Sequence, residues 1–131
     1  LENLKYLFMF QNFLKNFYLN FNLISLEILN LERNFFESIT NENFSAMKNL
    51  TQIILNNNKL KKIKKSVFSL ITNLKVLSIE YNEFEAITVG FEKLNYIDKL
   101  NLSYNGMRIL HKFLFNNSKR ISLVNVSLTF K

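Results

Sequence analysis

Apolar positions recur along this chain on one template. The segments LTQIILNNNKL at 50–60, LKVLSIEYNEF at 74–84 and IDKLNLSYNGM at 97–107 are apolar at positions 1, 4, 6 and 11, with Asn at position 9. LEILNLERNFF at 26–36 fits the same template, and LKYLFMFQNFL at 4–14 fits with Met9 in the third apolar slot. A last copy, ISLVNVSLT at 121–129, keeps the apolar slots but places Thr129 where Asn is expected. The copies start near 4, 26, 50, 74, 97 and 121, a period of 22 to 24 residues. A unit this short cannot bury its own apolar side, so it must stack on its neighbours as a solenoid.

Each copy then reads as one strand and a return. In the strand, alternate side chains point to opposite faces. Leu29 and Leu31, Ile53 and Leu55, and Leu77 and Ile79 are expected to point inward. Six such strands, about 4.8 Å apart, predict a parallel sheet roughly 24 Å wide. Its outward columns begin with Tyr6, Ile28, Gln52, Val76, Lys99 and Leu123. Next come Phe8, Asn30, Ile54, Ser78, Asn101 and Asn125, and then Phe10, Glu32, Asn56, Glu80, Ser103 and Ser127. The fourth column is Gln11, Arg33, Asn57, Tyr81, Tyr104 and Leu128. An amide both donates and accepts, so Asn34, Asn58, Asn82 and Asn105 are expected to form a buried ladder that satisfies backbone groups at the bend. Beyond the Asn, Phe17, Ile39, Ile63, Ile87 and Leu110 recur, followed by Phe44, Phe68, Phe91 and Phe115, which fill the wide convex side. The first copy is irregular here, with Asn20 where a Phe would stand.

The pattern LxxLxLxxNxL, standing as Leu50, Ile53, Leu55, Asn58 and Leu60 and again as Leu74, Leu77, Ile79, Asn82 and Phe84, resembles the leucine-rich repeat family over essentially the whole chain. The resemblance implies an α/β fold: a horseshoe segment with a parallel sheet on its concave face and an irregular or short-helical convex side. The roughly 24-residue period resembles the typical subclass, as in Toll-like receptor, insect immune and matrix proteoglycan ectodomains. Residues 1–131 read as one such domain of about five and a half repeats. The ends lack the Cys-rich caps common in extracellular members and the chain begins with Leu1, so it is expected to be a piece of a longer solenoid.

Composition narrows the chemistry. With no Cys there is neither a disulfide framework nor a thiolate metal site. The one His, His111, has no Cys or carboxylate at ligand spacing, so a surface turn is its expected role. Gly90 and Gly106 make no phosphate-binding pattern; Gly106 suits a turn after the ladder Asn, and Gly90 eases the one 23-residue repeat. No cofactor and no enzyme activity are expected, and no apolar run is long enough to span a membrane. The net charge of +7 favours acidic partners in general, although a chain so rich in Lys, Asn, Ile and Phe reflects AT-rich codons as well.

Three features are candidates for function. The concave face offers Phe8, Phe10, Ile28 and Ile54 as an exposed apolar patch, Glu32 and Glu80 as charged neighbours, and Tyr81 beside Tyr104. Exposed aromatic residues of this kind carry much of the energy of protein recognition. The basic run Lys59, Lys61, Lys62, Lys64 and Lys65 makes a local positive field that would suit an acidic glycan or an anionic membrane. Nucleic acid is the weakest of these partners, because no aromatics are interleaved for base stacking. Sequons stand at Asn43, Asn49, Asn101, Asn116 and Asn125, about twice the number expected by chance in so Asn-rich a chain. The leading expectation is a protein-binding glycoprotein module of a secreted or cell-surface receptor, adhesion or innate-immunity protein. An intracellular scaffold, to which the absence of Cys is suited, is the alternative, and a polyanion-binding surface is the third.

Overall fold

The computed structural model describes residues 1–19, 22–111 and 114–127. Asn20, Leu128 and Thr129 lie outside the described residues. Ten short strands follow one another: β1 (Tyr6–Phe8), β2 (Ile28–Asn30), β3 (Ser38–Ile39), β4 (Gln52–Ile54), β5 (Lys62–Ile63), β6 (Val76–Ser78), β7 (Ala86–Ile87), β8 (Tyr96–Asn101), β9 (Ile109–Leu110) and β10 (Arg120–Asn125). Six of them form one parallel sheet in the order β1-β2-β4-β6-β8-β10. Its register aligns Tyr6, Ile28, Gln52, Val76, Lys99 and Leu123 in one row and Phe8, Asn30, Ile54, Ser78, Asn101 and Asn125 in another. The first two columns read from the period are therefore rows of the sheet. The sequence repeat sets the register because a one-residue slip would turn every inward Leu to solvent.

Among the described residues the convex side is mostly turns, with one 3-10 helix at Asn41–Phe44. It also holds two small parallel pairings, β3 with β5 and β7 with β9, that the sequence pattern did not predict. Each inward Ile of these pairs, Ile39, Ile63 and Ile87, is buried. Behind them the Phe column runs continuously, with ring centroids 5.9 Å apart for Phe44–Phe68, 6.0 Å for Phe68–Phe91 and 6.2 Å for Phe91–Phe115. Each fully buried ring contributes roughly 1.5–3 kcal/mol.

The asparagines stitch one repeat to the next. Asn82 Nδ2 donates to Ile79 and Glu80 O of its own repeat and to Leu55 O of the preceding one, while its Oδ1 accepts from Leu60 N–H. Asn34, Asn58 and Asn105 repeat this arrangement. Asn82 is 8% exposed, so these bonds replace water for carbonyls that the bend would otherwise strand.

The residue before each such Asn, and Gln11 before Asn12 of the first repeat, has left-handed backbone: Gln11, Arg33, Asn57, Tyr81 and Tyr104 all have φ between 52° and 55°. That conformation costs a non-glycine residue roughly 1–2 kcal/mol. It lets the N–H of Tyr81 reach Ser103 O and that of Asn57 reach Glu80 O, carrying the cross-repeat bonding past the strand ends. Gly106 therefore does not supply the turn, as the sequence had suggested. It is not left-handed, and a Cβ there would meet only Phe84 O at an ordinary 3.6 Å. Gly90 is different. Its φ is +109°, and a Cβ would fall 2.2 Å from Ile63 Cγ2, so the shortened repeat needs glycine there.

Candidate functional site

Three surfaces bear on function: the rim where the strands end, the edge where they begin, and the convex basic turn. At the trailing rim Tyr81 and Tyr104 lie in the bends just after β6 and β8, not in the strands themselves. Their rings are stacked, parallel within 3° with centroids 4.3 Å apart, and they remain 47% and 59% exposed. Partial desolvation, the neighbouring Tyr104 hydroxyl and the Glu80 charge hold the Tyr81 hydroxyl above its ordinary value. Its ring is therefore a neutral hydrogen-bonding platform at physiological pH. Glu80 has no cationic partner within ion-pair distance among the described residues, whereas Glu32 is near Arg33 and accepts from Asn57 Nδ2 at 3.5 Å.

The first repeat adds exposed aromatics. Phe8 is 57% and Phe10 50% exposed. Ile28 and Ile54 do not extend this patch as expected. They are half-buried, because each stands in a strand paired on both sides.

The five lysines of the convex turn are exposed, but their neighbours are not those the sequence shows. Lys61 Nζ lies 3.5 Å from Glu83 of the next repeat, and Lys59 Nζ sits 4.8 Å above the Phe35 ring. Lys62 shares a cleft with Glu83 and Glu85, and Lys65 attracts Glu92. Stacking thus places carboxylates beside a run that reads as uniformly positive along the chain. Lys62 and Lys64 keep no ion pair among the described residues.

The sequons separate by burial. Asn43 is buried: its Nδ2 donates to Phe17 O at 2.7 Å and its Oδ1 accepts from Thr40 N–H. Asn101 is 7% exposed, with Oδ1 bonded to Ser103 N–H. Asn43 does not fit as a glycan carrier in the folded chain, because its attachment nitrogen is engaged in the buried bond to Phe17 O, whereas Asn101 presents only a small surface on the concave side. Asn49 is exposed but its Nδ2 already donates to Ile24 O at 2.7 Å, Asn125 is half-buried in β10, and Asn116 is exposed.

The leading edge of the sheet holds a feature the sequence did not flag. A groove of about 710 Å³ crosses from β1 to β8. One row along it is Lys5, Glu27, Thr51 and Lys75; a second includes Asn49, Asn73 and Tyr96. Lys5 Nζ pairs with Glu27 at 2.9 Å, which raises the lysine pKa through the hydrogen bond and the opposite charge. Thr51 Oγ1 donates to Glu27 O. The only signal in the sequence is that the residue after each leading Leu or Ile is polar. Among the described residues no three or more His, Cys, Asp or Glu side chains are placed to hold a metal, and no helix is long and apolar enough to cross a membrane.

Comparison with known proteins agrees with the repeat. A mouse (Mus musculus) protein, osteomodulin, is 34% identical over 87 residues, which is 65% of this chain and 20% of that protein. The chain of a TLR13–ssRNA13 complex superposes with a TM-score of 0.46 at 22% identity, covering 83% of this chain and 23% of the other. This chain thus spans less than a quarter of the length of either. The family model described as "Leucine rich repeat" matches residues 24–84 and 48–107, more than half of the chain, and the protein belongs to the leucine-rich repeat family.

Proposed function

We propose that this chain is a non-catalytic recognition module that binds another protein along the trailing rim of its concave sheet. We place it in a secreted or cell-surface setting, as part of a receptor, adhesion or innate-immunity ectodomain. The observation that carries the proposal is the stacked, half-exposed Tyr81–Tyr104 pair. Two rings already stacked on one another lose little side-chain freedom on binding, so most of the contact they make stabilises the complex. Glu80 beside them supplies a charge free to pair with a partner. Tyr and other aromatic side chains dominate protein interfaces for this combination of apolar area and a polar tip. Phe8 and Phe10 extend the exposed aromatic surface at the first repeat. The exposed sequon at Asn116 and the roughly 24-residue period support the extracellular setting.

Binders selected against the folded protein from a displayed library test the reading. Changing Tyr81→Ala together with Tyr104→Ala is expected to weaken most of them by about tenfold or more. Lys62→Gln on the convex side is expected to leave them unchanged. A panel indifferent to the tyrosine pair overturns the proposed surface. Mass spectrometry of protein passed through a secretory host is expected to find a glycan on Asn116, and an unmodified Asn116 removes the extracellular half of the proposal.

A further inference from the structure

The leading-edge groove is chemically unlike the tyrosine rim. Ser25, Thr72 and Asn73 line it, and their side chains make no hydrogen bond among the described residues. They present hydroxyl and amide groups, each able to donate and accept. Tyr96 lines the same groove with 54% of its surface exposed. Cations gather around that ring. Lys119 Nζ lies 5.9 Å from its centroid, and Arg120, its register partner on β10, is held by Asp98 at 3.8 Å. Lys75 also lines the groove and has no acidic partner among the described residues, whereas Lys5 is neutralised by Glu27. The volume, about 710 Å³, is within the range of small-ligand sites.

We propose that this groove is a binding site for an acidic saccharide. The C–H face of one sugar ring rests on Tyr96, its carboxylate or sulfate meets Lys75, and neighbouring hydroxyls exchange hydrogen bonds with Thr72 and Asn73. A polyhydroxylated ring with one flat apolar face matches a single aromatic platform edged by neutral amide and hydroxyl groups. A nucleic acid would ask for successive stacked bases, and the groove offers one ring. An acidic group is favoured because Lys75 is exposed in the groove and has no ion pair among the described residues. This reassigns the anion preference from the convex run, where Glu83 and Glu92 compete, to the edge of the sheet. The site is separate from the tyrosine rim, so either proposal can fail alone.

The test uses unglycosylated protein from a bacterial host, so that Asn49 in the groove carries no sugar. A heparin-derived tetrasaccharide is the probe, and chitotetraose is its uncharged control. Amide resonances of Thr72, Asn73, Lys75 and Tyr96 are expected to shift with the charged probe. Lys75→Gln and Tyr96→Ala are each expected to weaken binding about tenfold, the loss typical of one charge-assisted or aromatic contact. Lys75→Arg is expected to restore it. Replacing Lys59, Lys61, Lys62, Lys64 and Lys65 with Gln is expected to change affinity by less than about twofold, since distant surface charges are screened. Both single variants alter exposed side chains and should keep the parent unfolding midpoint. Shifts centred on residues 59–65, loss of binding in the five-lysine variant, equal affinity for the uncharged control, or no shift at Lys75 and Tyr96 each overturn the site.

Discussion

The first repeat and the repeat at 74 are written on the same template but sit in different surroundings. In the later copy Leu74, Leu77, Ile79 and Phe84 are essentially inaccessible to solvent. In the first, Leu4, Leu7 and Met9 are only partly buried, and Phe8 and Phe10 are largely exposed. The asparagines show the same contrast. Asn82 bonds both to its own repeat and to the one before it, whereas Asn12, in the equivalent slot, is exposed and donates only to Met9 and Phe10 of its own repeat. The template is therefore a set of half-sites. An apolar slot or an amide becomes stabilising when a neighbour supplies the other half.

Substitution in matched pairs can break or sharpen this contrast, with urea midpoints as the measurement. The largest effect is expected at the inward strand leucines. Leu77→Ala should lose about 2–5 kcal/mol, and Leu7→Ala, in the equivalent but only partly buried slot, about 1 kcal/mol. Equal losses would mean that the first repeat is as tightly built as the middle. Asn82→Leu strands Leu60 N–H and leaves Leu55 O with Asn58 Nδ2 as its donor, and should cost about 2 kcal/mol, against well under about 1 kcal/mol for Asn12→Leu. The two glycines come next. Gly90→Ala meets both a left-handed backbone and Ile63 and should cost about 2 kcal/mol, while Gly106→Ala should be neutral or mildly stabilising, by about 0.5 kcal/mol.

The smallest effect is a pH dependence. Burial would raise the Glu92 pKa, but hydrogen bonds from backbone N–H groups, including those of Gly90 and Ser66, and the charge of Lys65 outweigh it and lower the value below its ordinary 4.5. A depressed folded pKa means the contribution is complete above the unfolded value and fades as pH falls through the folded one. Glu92 is partly solvated, so the difference between the parent and Glu92→Gln should be a few tenths of a kcal/mol near neutrality and vanish in strong acid. A difference that grows on acidification would contradict this assignment.

Much of the fold was legible because it is periodic. A strand repeats its environment every turn of the solenoid, so the spacing of equivalent inward slots such as Ile53, Leu77 and Leu100 gives register directly. The outward columns were legible for the same reason. Burial was not, where it depends on a local break in the pattern. Asn43 reads as a surface sequon but is drawn inward by its bond to Phe17 O, and Asn101, on the outward face, is largely covered with its Oδ1 bonded to Ser103 N–H. Ile28 and Ile54 read as exposed because alternation says which face a side chain takes and not how closely its neighbours cover it.

The sequence by itself determined the repeat, the parallel order of the strands, the Phe column and the ladder positions, because each follows from one period and from the need to bury apolar side chains. Only the tertiary structure decided which residues 20 to 25 positions apart touch through their variable side chains. Stacking brought Glu83 to Lys61, closed Tyr81 onto Tyr104, and gathered Lys75, Asn73 and Tyr96 around one groove. Those contacts depend on rotamer and on the approach of adjacent turns, which a shared period leaves open.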